Sequence, residues 1–324
     1  MPGLRLGTLA TAGGNDLSIA QYSVRRLFVS IFLLIGVSVL VFSIMHMTPG
    51  DPVLMVAGLE ATPEIVESIR REWGFDQPIY IQYFRWFSRA VRFDFGISLT
   101  TREEVSYMIS SRLPNTLKLN LVSYGLALAV ALPLGIYAAL RKYSFFDNLG
   151  TVIALLGVSM PGFWLALLLI ITFGLKLGWL PVFGMGTWKH YVLPSVALGA
   201  SQAAGLMRMT RSSMLEAMNQ DYVRTARAKG LAEKVVVYKH MLKNASLPVV
   251  TMMGMRLAHI LSGAFIIETI FAWPGIGRLT INSLFSRDYF VVQGVVLLTA
   301  TMIVLANLLV DIAYCFLDPR IRYS

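Results

Sequence analysis

Charge is scarce in this chain. Of 324 residues only 14% are Asp, Glu, Lys or Arg, against about 25% in an average soluble domain. A water-soluble globule of this length needs a charged skin, so the shortage excludes an ordinary soluble enzyme and a disordered chain alike. Cysteine is almost missing. Cys315 stands alone, which leaves no disulfide framework and no thiolate metal site to be built from this chain. No G-x-x-x-x-G-K-[ST] run occurs, so there is no P-loop for a nucleotide. Neither G-x-S-x-G nor H-E-x-x-H occurs, and the four histidines (His46, His190, His240, His259) are scattered along the chain. Hydrolase and metal-cage readings therefore lack their residues, and the chain reads as non-catalytic. Acid is scarcer than base, 18 Asp and Glu against 28 Lys and Arg. In a soluble protein that excess would suggest nucleic acid. In an apolar chain it belongs to basic loops held against membrane lipid, and no nucleic-acid partner is expected.

What is present is apolar length. Apolar residues make up 56% of the chain, and the mean hydropathy is +0.64. A membrane helix needs about 20 apolar residues, because about 30 Å of hydrocarbon is crossed at 1.5 Å per residue. Uncharged runs of that order are Leu27–Met45, Leu119–Leu140, Asn148–Leu175, Tyr191–Met207 and Tyr289–Val310. A sixth, about Leu247–Ala272, is interrupted by Arg256, His259 and Glu268. Six membrane helices are expected. The first run is longer than a signal-peptide core and no small-x-small site follows it, so it reads as a retained anchor. The third would be about 42 Å long if straight. It must tilt or break, and Pro161-Gly162 offers the break, either as a packing kink or as a functional hinge.

The basic residues set the orientation. With the N-terminus inside, fifteen Lys and Arg fall on the cytoplasmic side and four in the two short loops opposite. The positive-inside bias then makes both termini cytoplasmic, in a bacterial inner membrane. The expected organisation is a cytoplasmic tail 1–24, a first crossing 25–46, an extracytoplasmic loop region 47–115, a five-helix core 116–317 and a cytoplasmic tail 318–324. Within the loop region, Thr62-Pro63-Glu64 reads as N-cap, N1 proline and first-turn acid, with Ile65, Ile69 and Trp73 on one face of a short helix.

The cytoplasmic loop 208–246 carries the most information. It holds eight basic and three acidic residues. Met214, Met218, Tyr222 and Ala226 step by four, and Leu231, Val235, Tyr238 and Leu242 step by four, three and four, with Gly230 placed to break the helix between them. Two amphipathic helices on anionic lipid would show this pattern, and so would a pair fitted to a partner's groove. The ionisable residues within the sixth run also invite a role. Arg256 and His259 share a helix face and are read as lining a polar pathway, with Glu268 nearer the outer gate. The alternative is a snorkelling arginine, a histidine bonded to a neighbouring helix and a capping glutamate.

The run from Asp221 through Tyr222, Val223, Arg224, Thr225, Ala226, Arg227, Ala228, Lys229 and Gly230 to Leu231, with Leu247-Pro248 after it, resembles the coupling-loop signature of binding-protein-dependent ABC importer permeases. The dipeptide/oligopeptide/nickel branch is suggested by Arg208–Met214, by Glu268 with Phe271–Gly277, and by the ending Asn307–Asp311 and Asp318–Arg322. Arg224-Thr225 departs from the Glu-Ala of many permeases, and Gly230–Pro248 is longer than in the sugar-type members. The resemblance implies an all-α, six-helix type I importer permease working beside a second homologous permease. It implies two cytoplasmic ATPases that bind ATP and Mg, with no cofactor in this chain, and an extracytoplasmic binding protein that delivers cargo. Residues 222 and 224–231 would form the ATPase-coupling element. Small peptides are the first cargo expected, and nickel chelates or glutathione-like peptides the second. A self-sufficient secondary transporter is the rival reading, but the inverted repeats it usually shows are not evident.

Overall fold

The computed structural model describes residues 19–47, 51–58, 61–258 and 264–317. The tails 1–18 and 318–324, and His259, lie outside the described residues. The described residues are helical throughout, with a single antiparallel bridge, Ile97 to Glu104, outside the helices. In chain order the helices are α1 (Ile19–Met47), α2 (Pro52–Ala57), α3 (Pro63–Trp73), α4 (Ile79–Ala90), α5 (Val105–Leu140), α6 (Phe145–Ser159), α7 (Gly162–Leu169), α8 (Lys189–Met218), α9 (Asp221–Ala228), α10 (Glu233–Val235), α11 (Leu242–Ala258), α12 (Phe265–Ile270), α13 (Ile276–Phe285) and α14 (Tyr289–Leu317). Two π-helical segments, Ile170–Lys176 and Val236–Met241, continue α7 and α10.

Length and apolarity fit three of these helices to cross a membrane, Val24–Met47 within α1, α5, and Tyr289–Val310 within α14. The α6–α7 pair makes a fourth if it is counted as one span. Six spans were expected. The run Tyr191–Met207 lies inside α8, which continues through Arg208 and Arg211 and is too polar over its full length to qualify. The run Leu247–Ala272 is divided between α11 and α12, with 259–263 outside the described residues. The pair α6–α7 bends by 107°. Met160 and Pro161 are both extended there, at ψ 122° and 133°, and Pro161 has no N–H to continue α6. The break expected at Pro161-Gly162 is thus a sharp turn, with Gly162 facing the Ala197 carbonyl of α8.

The centre of the fold is the packing of α5 on α8, with α6, α7 and α11 also laid on α8. Small residues allow the approach. Ala127, Ala131, Ala138 and Ala139 of α5 and Ala197 and Ala204 of α8 are all buried. At Gly135 a Cβ would lie 2.7 Å from Thr210 Cβ and 2.8 Å from the Met207 carbonyl, so the contact requires its absence.

Two further layers sit at the ends of these helices. One joins α1, α4, the start of α5, α13 and α14 around Phe42, Trp86, Phe95, Met108, Val291 and Val295. Here α3 begins with Pro63 at its first position, as expected, although Thr62 makes no side-chain cap bond. The other layer gathers Ala139, Met214, Val223, Ala226, Val236 and Met241 beneath α9.

Candidate functional site: the α9 platform

Helix α9 exists because the chain breaks twice. α8 ends at Met218, and Gln220 is extended at φ −78°, ψ 148° before Asp221 opens α9 with an acid in its first turn. Met214 and Met218 therefore belong to α8, and the expected series Met214–Met218–Tyr222–Ala226 is not one helix. The polar run Asn219-Gln220-Asp221 was the available sign of this break. At the other end Gly230 takes φ +74°, its N–H bonds the Arg227 carbonyl at 2.9 Å, and the Leu231 N–H reaches the Ala226 carbonyl. This is a Schellman-type stop, with glycine where the left-handed backbone is needed.

The two faces of α9 differ in kind. Val223 and Ala226 are buried against Ala139 of α5, Met214 and Ala217 of α8, and Val236, Val237 and Met241. Asp221, Tyr222, Arg224, Thr225, Ala228 and Lys229 are exposed. Past the turn, the expected apolar face Leu231–Val235–Tyr238 is the outward one, and Val236, Val237 and Met241 point inward instead. The cause is the π-helical segment. Its i→i+5 bonding adds about one residue per turn, which shifts any pattern counted at 3.6.

Arg227 is not free for a partner. Its guanidinium forks onto Glu233, with Nη2–Oε1 at 2.7 Å and Nε–Oε2 at 3.2 Å, and so ties the end of α9 to α10 across the Gly230 turn. This hydrogen bond holds the Glu233 carboxyl below the ordinary range, against a smaller opposing effect of burial. Arg224 makes only a loose contact with Asp221, at 3.8 Å between highly exposed side chains. Arg224 and Lys229 thus remain on the open face. A groove of about 330 Å³ adjoins α9 between the end of α8 and the start of α11, lined by Glu216, Gln220, Tyr222, Asn244 and Leu247 among others.

A second pair supports the platform. Asp147, 1% exposed, accepts from Arg211 Nε at 2.6 Å and Nη2 at 2.8 Å, and from the Tyr143 N–H at 2.9 Å. It fastens the α5–α6 turn to α8. Sequence reasoning missed this link, since Arg211 was counted only among the basic loop residues.

The residues of the interrupted run do not come together. Arg256 is half-buried on α11, its Nη2 3.2 Å from where a Cβ on Gly205 of α8 would stand, and it pairs with no carboxylate among the described residues. Glu268 is completely buried in another contact. Its carboxylate accepts from the Thr116 hydroxyl at 2.6 Å, from the Arg278 N–H at 3.1 Å and from the Gly277 N–H. Thr116 Oγ1 in turn accepts from the Ile276 N–H at 2.8 Å. Glu268 and Thr116 together therefore satisfy the first N–H groups of α13, a capping role supplied from other helices.

Comparison with known proteins places this geometry. Residues 131–323, which include the α9 platform, match the family described as binding-protein-dependent transport system inner membrane component. Residues 19–120 match the N-terminal region of the same kind of membrane component. The chain is similar to the glutathione transport system permease protein GsiC of Escherichia coli strain K12 and of E. coli O1:K1 / APEC, and to that of Shigella dysenteriae serotype 1 (strain Sd197). Each is 45% identical over 304 residues, covering 94% of this chain and 99% of the relative. The chain belongs to the inner-membrane permease family of binding-protein-dependent ABC transport systems.

Proposed function

We propose that this permease is one half of the membrane channel of a type I importer that brings glutathione-like short peptides into the cell. In this reading the chain crosses the membrane six times with both termini in the cytoplasm and stands beside a second, homologous permease. Two ATPase subunits bind ATP and Mg and dock on α9. Cargo arrives from an extracytoplasmic binding protein. Arg256 and His259 line the polar pathway, and Glu268 acts by holding the α12–α13 turn. The cargo rests on the name of the relatives, which are 45% identical over nearly their whole length. The inside placement of α9 rests on the fifteen-to-four distribution of basic residues.

One observation carries the coupling role. α9 is a short helix whose inner face is fixed in a packed core while Tyr222, Arg224, Thr225, Ala228 and Lys229 stay outside it. A helix seated that way transmits a push from an outer partner into α5 and α8 without bending, since packed interiors have low compressibility. The test is reconstitution of the complex with its partner subunits in liposomes, with ATP hydrolysis and uptake of labelled glutathione followed together. Thr225→Trp on the open face is expected to cut uptake roughly tenfold, the effect of about 1.4 kcal/mol of misfit, while the chain still folds. Normal uptake by that variant would refute α9 as the docking element. Absence of glutathione uptake by the unaltered complex would refute the cargo.

A further inference from the structure

The layer built from α1, α3, α4 and the start of α14 encloses a cavity that the transport reading leaves unused. Its room is about 60 Å³. At about 10–15 Å³ per water position, that holds a carboxylate with a short carbon stub and little more. Three rings wall it. Phe75 stacks on Phe290 at 6.2 Å, and Trp73 meets Phe75 edge-on at 6.2 Å.

The polar groups around these rings are unequal. Gln293, only 2% exposed, lines the cavity and hydrogen-bonds to nothing among the described residues. Trp86 lines it too, and its buried indole N–H likewise has no acceptor among the described residues. Arg89 is engaged, with its Nε 2.9 Å and its Nη2 3.1 Å from the two oxygens of Asp94. Arg85 is not. Its Nη1 lies over Gly74, 2.8 Å from where a Cβ would stand, and no carboxylate among the described residues pairs with it. His46 bonds the Phe42 carbonyl and Gln82. The walls thus offer one uncompensated guanidinium, unused amide and indole donors, and aromatic flanks. Burying such donors unpaired is costly, and a small anion would satisfy them.

We propose that this cavity binds a carboxylate, with Arg85 as its counter-ion, the Gln293 amide as a donor and the rings of Trp73, Phe75 and Phe290 against its carbon stub. The site does not depend on α9 acting as the coupling helix, nor on the identity of the transported peptide. The carboxylate comes from a small free acid or from an acidic side chain of an associated protein, and the arms of the test separate the two.

The probe is trifluoroacetate, followed by fluorine NMR line broadening with the intact transporter complex in nanodiscs and no binding protein added. Broadening reversed by propionate and not by propionamide is expected. Arg85→Gln should weaken it roughly tenfold, the loss of one charge-assisted bond. Gln293→Leu should weaken it as well, and Arg92→Gln, an exposed arginine of the same layer outside the cavity, should leave it unchanged. Equal broadening in Arg85→Gln, or equal competition by propionamide, overturns the proposal. In the second arm, binding-protein affinity is compared between the unaltered complex and Arg85→Gln. A loss there without any free-acid signal assigns the carboxylate to a partner's side chain, and no effect in either arm overturns the site. Glutathione-driven ATP hydrolysis, measured on the same samples, reports on the transport reading separately.

Discussion

Asp147 is a carboxylate with almost no access to water, so its partner decides whether it can stay charged. Removing one member of a buried ion pair costs about 3–5 kcal/mol, because the other is left desolvated and unpaired. Arg211→Ala is therefore expected to lower the unfolding midpoint of the purified protein markedly. Asp147→Asn combined with Arg211→Gln should recover part of the loss. A double-mutant cycle with no coupling between the two positions would contradict the pairing. The Arg227–Glu233 fork is of another kind. Both side chains are substantially exposed, at 42% and 60%, so its value lies in fixing the Gly230 turn rather than in stability. Glu233 has a depressed carboxyl pKa, so whatever the fork contributes is present above the unfolded pKa and is lost as pH falls through the folded one. Uptake per ATP hydrolysed should then stay flat between about pH 6 and pH 8 as far as this fork is concerned, and Glu233→Gln should lower it at neutral pH. An unchanged ratio in that variant would remove the fork from the coupling path. Neither pair was legible in the sequence. Asp147 and Arg211 are 64 positions apart, and only the closed fold brings them together.

Between elements, the contact that matters most is α5 on α8. Gly135 meets the Met207 carbonyl and Thr210 at distances no Cβ tolerates. Gly135→Leu is expected to force the helices apart and to cost about 1–3 kcal/mol, the range for overpacking. Thermal unfolding of the purified complex would measure it, and an unaltered midpoint would mean that α8 moves away at no cost. The identity of these helices was legible because apolar runs of membrane length are hard to mistake. Their ends were not. Counting between charges stops each span at the first Lys or Arg, yet backbone hydrogen bonding passes through charged residues that reach water or a partner. α5 therefore starts at Val105 rather than Leu119, and α8 runs on to Met218. The same counting missed α4, whose twelve residues carry Arg85 and Arg89 among aromatic ones. The face beyond Gly230 was misread for a separate reason, since a π-helical segment has a period that a 3.6-residue count does not detect.

At the scale of the whole molecule, work done by a partner on α9 must reach α5 and α8 before the turn at Gly230 yields. The motif around that turn was legible as a family resemblance. Its mechanics were not, because they depend on φ rather than on residue size. A Cβ added at Gly230 would meet nothing within 4 Å, so bulk alone is harmless there. The backbone sits at φ +74°, which asparagine adopts readily, which costs other L-residues about 1–2 kcal/mol, and which proline cannot adopt. Proline would also delete the N–H that bonds the Arg227 carbonyl. The expected order of retained uptake is therefore Gly, Asn, Ala, Pro, with Gly230→Pro hydrolysing ATP while importing roughly a tenth or less of the normal cargo, since several kcal/mol of local strain fall on the transmitting turn. Proteoliposomes that report hydrolysis and uptake together would show this order. If Ala were as active as Gly and a large side chain such as Trp far worse, the turn would be limited by space at the partner's surface. If Pro imported normally, the push would have to enter the membrane helices by another route.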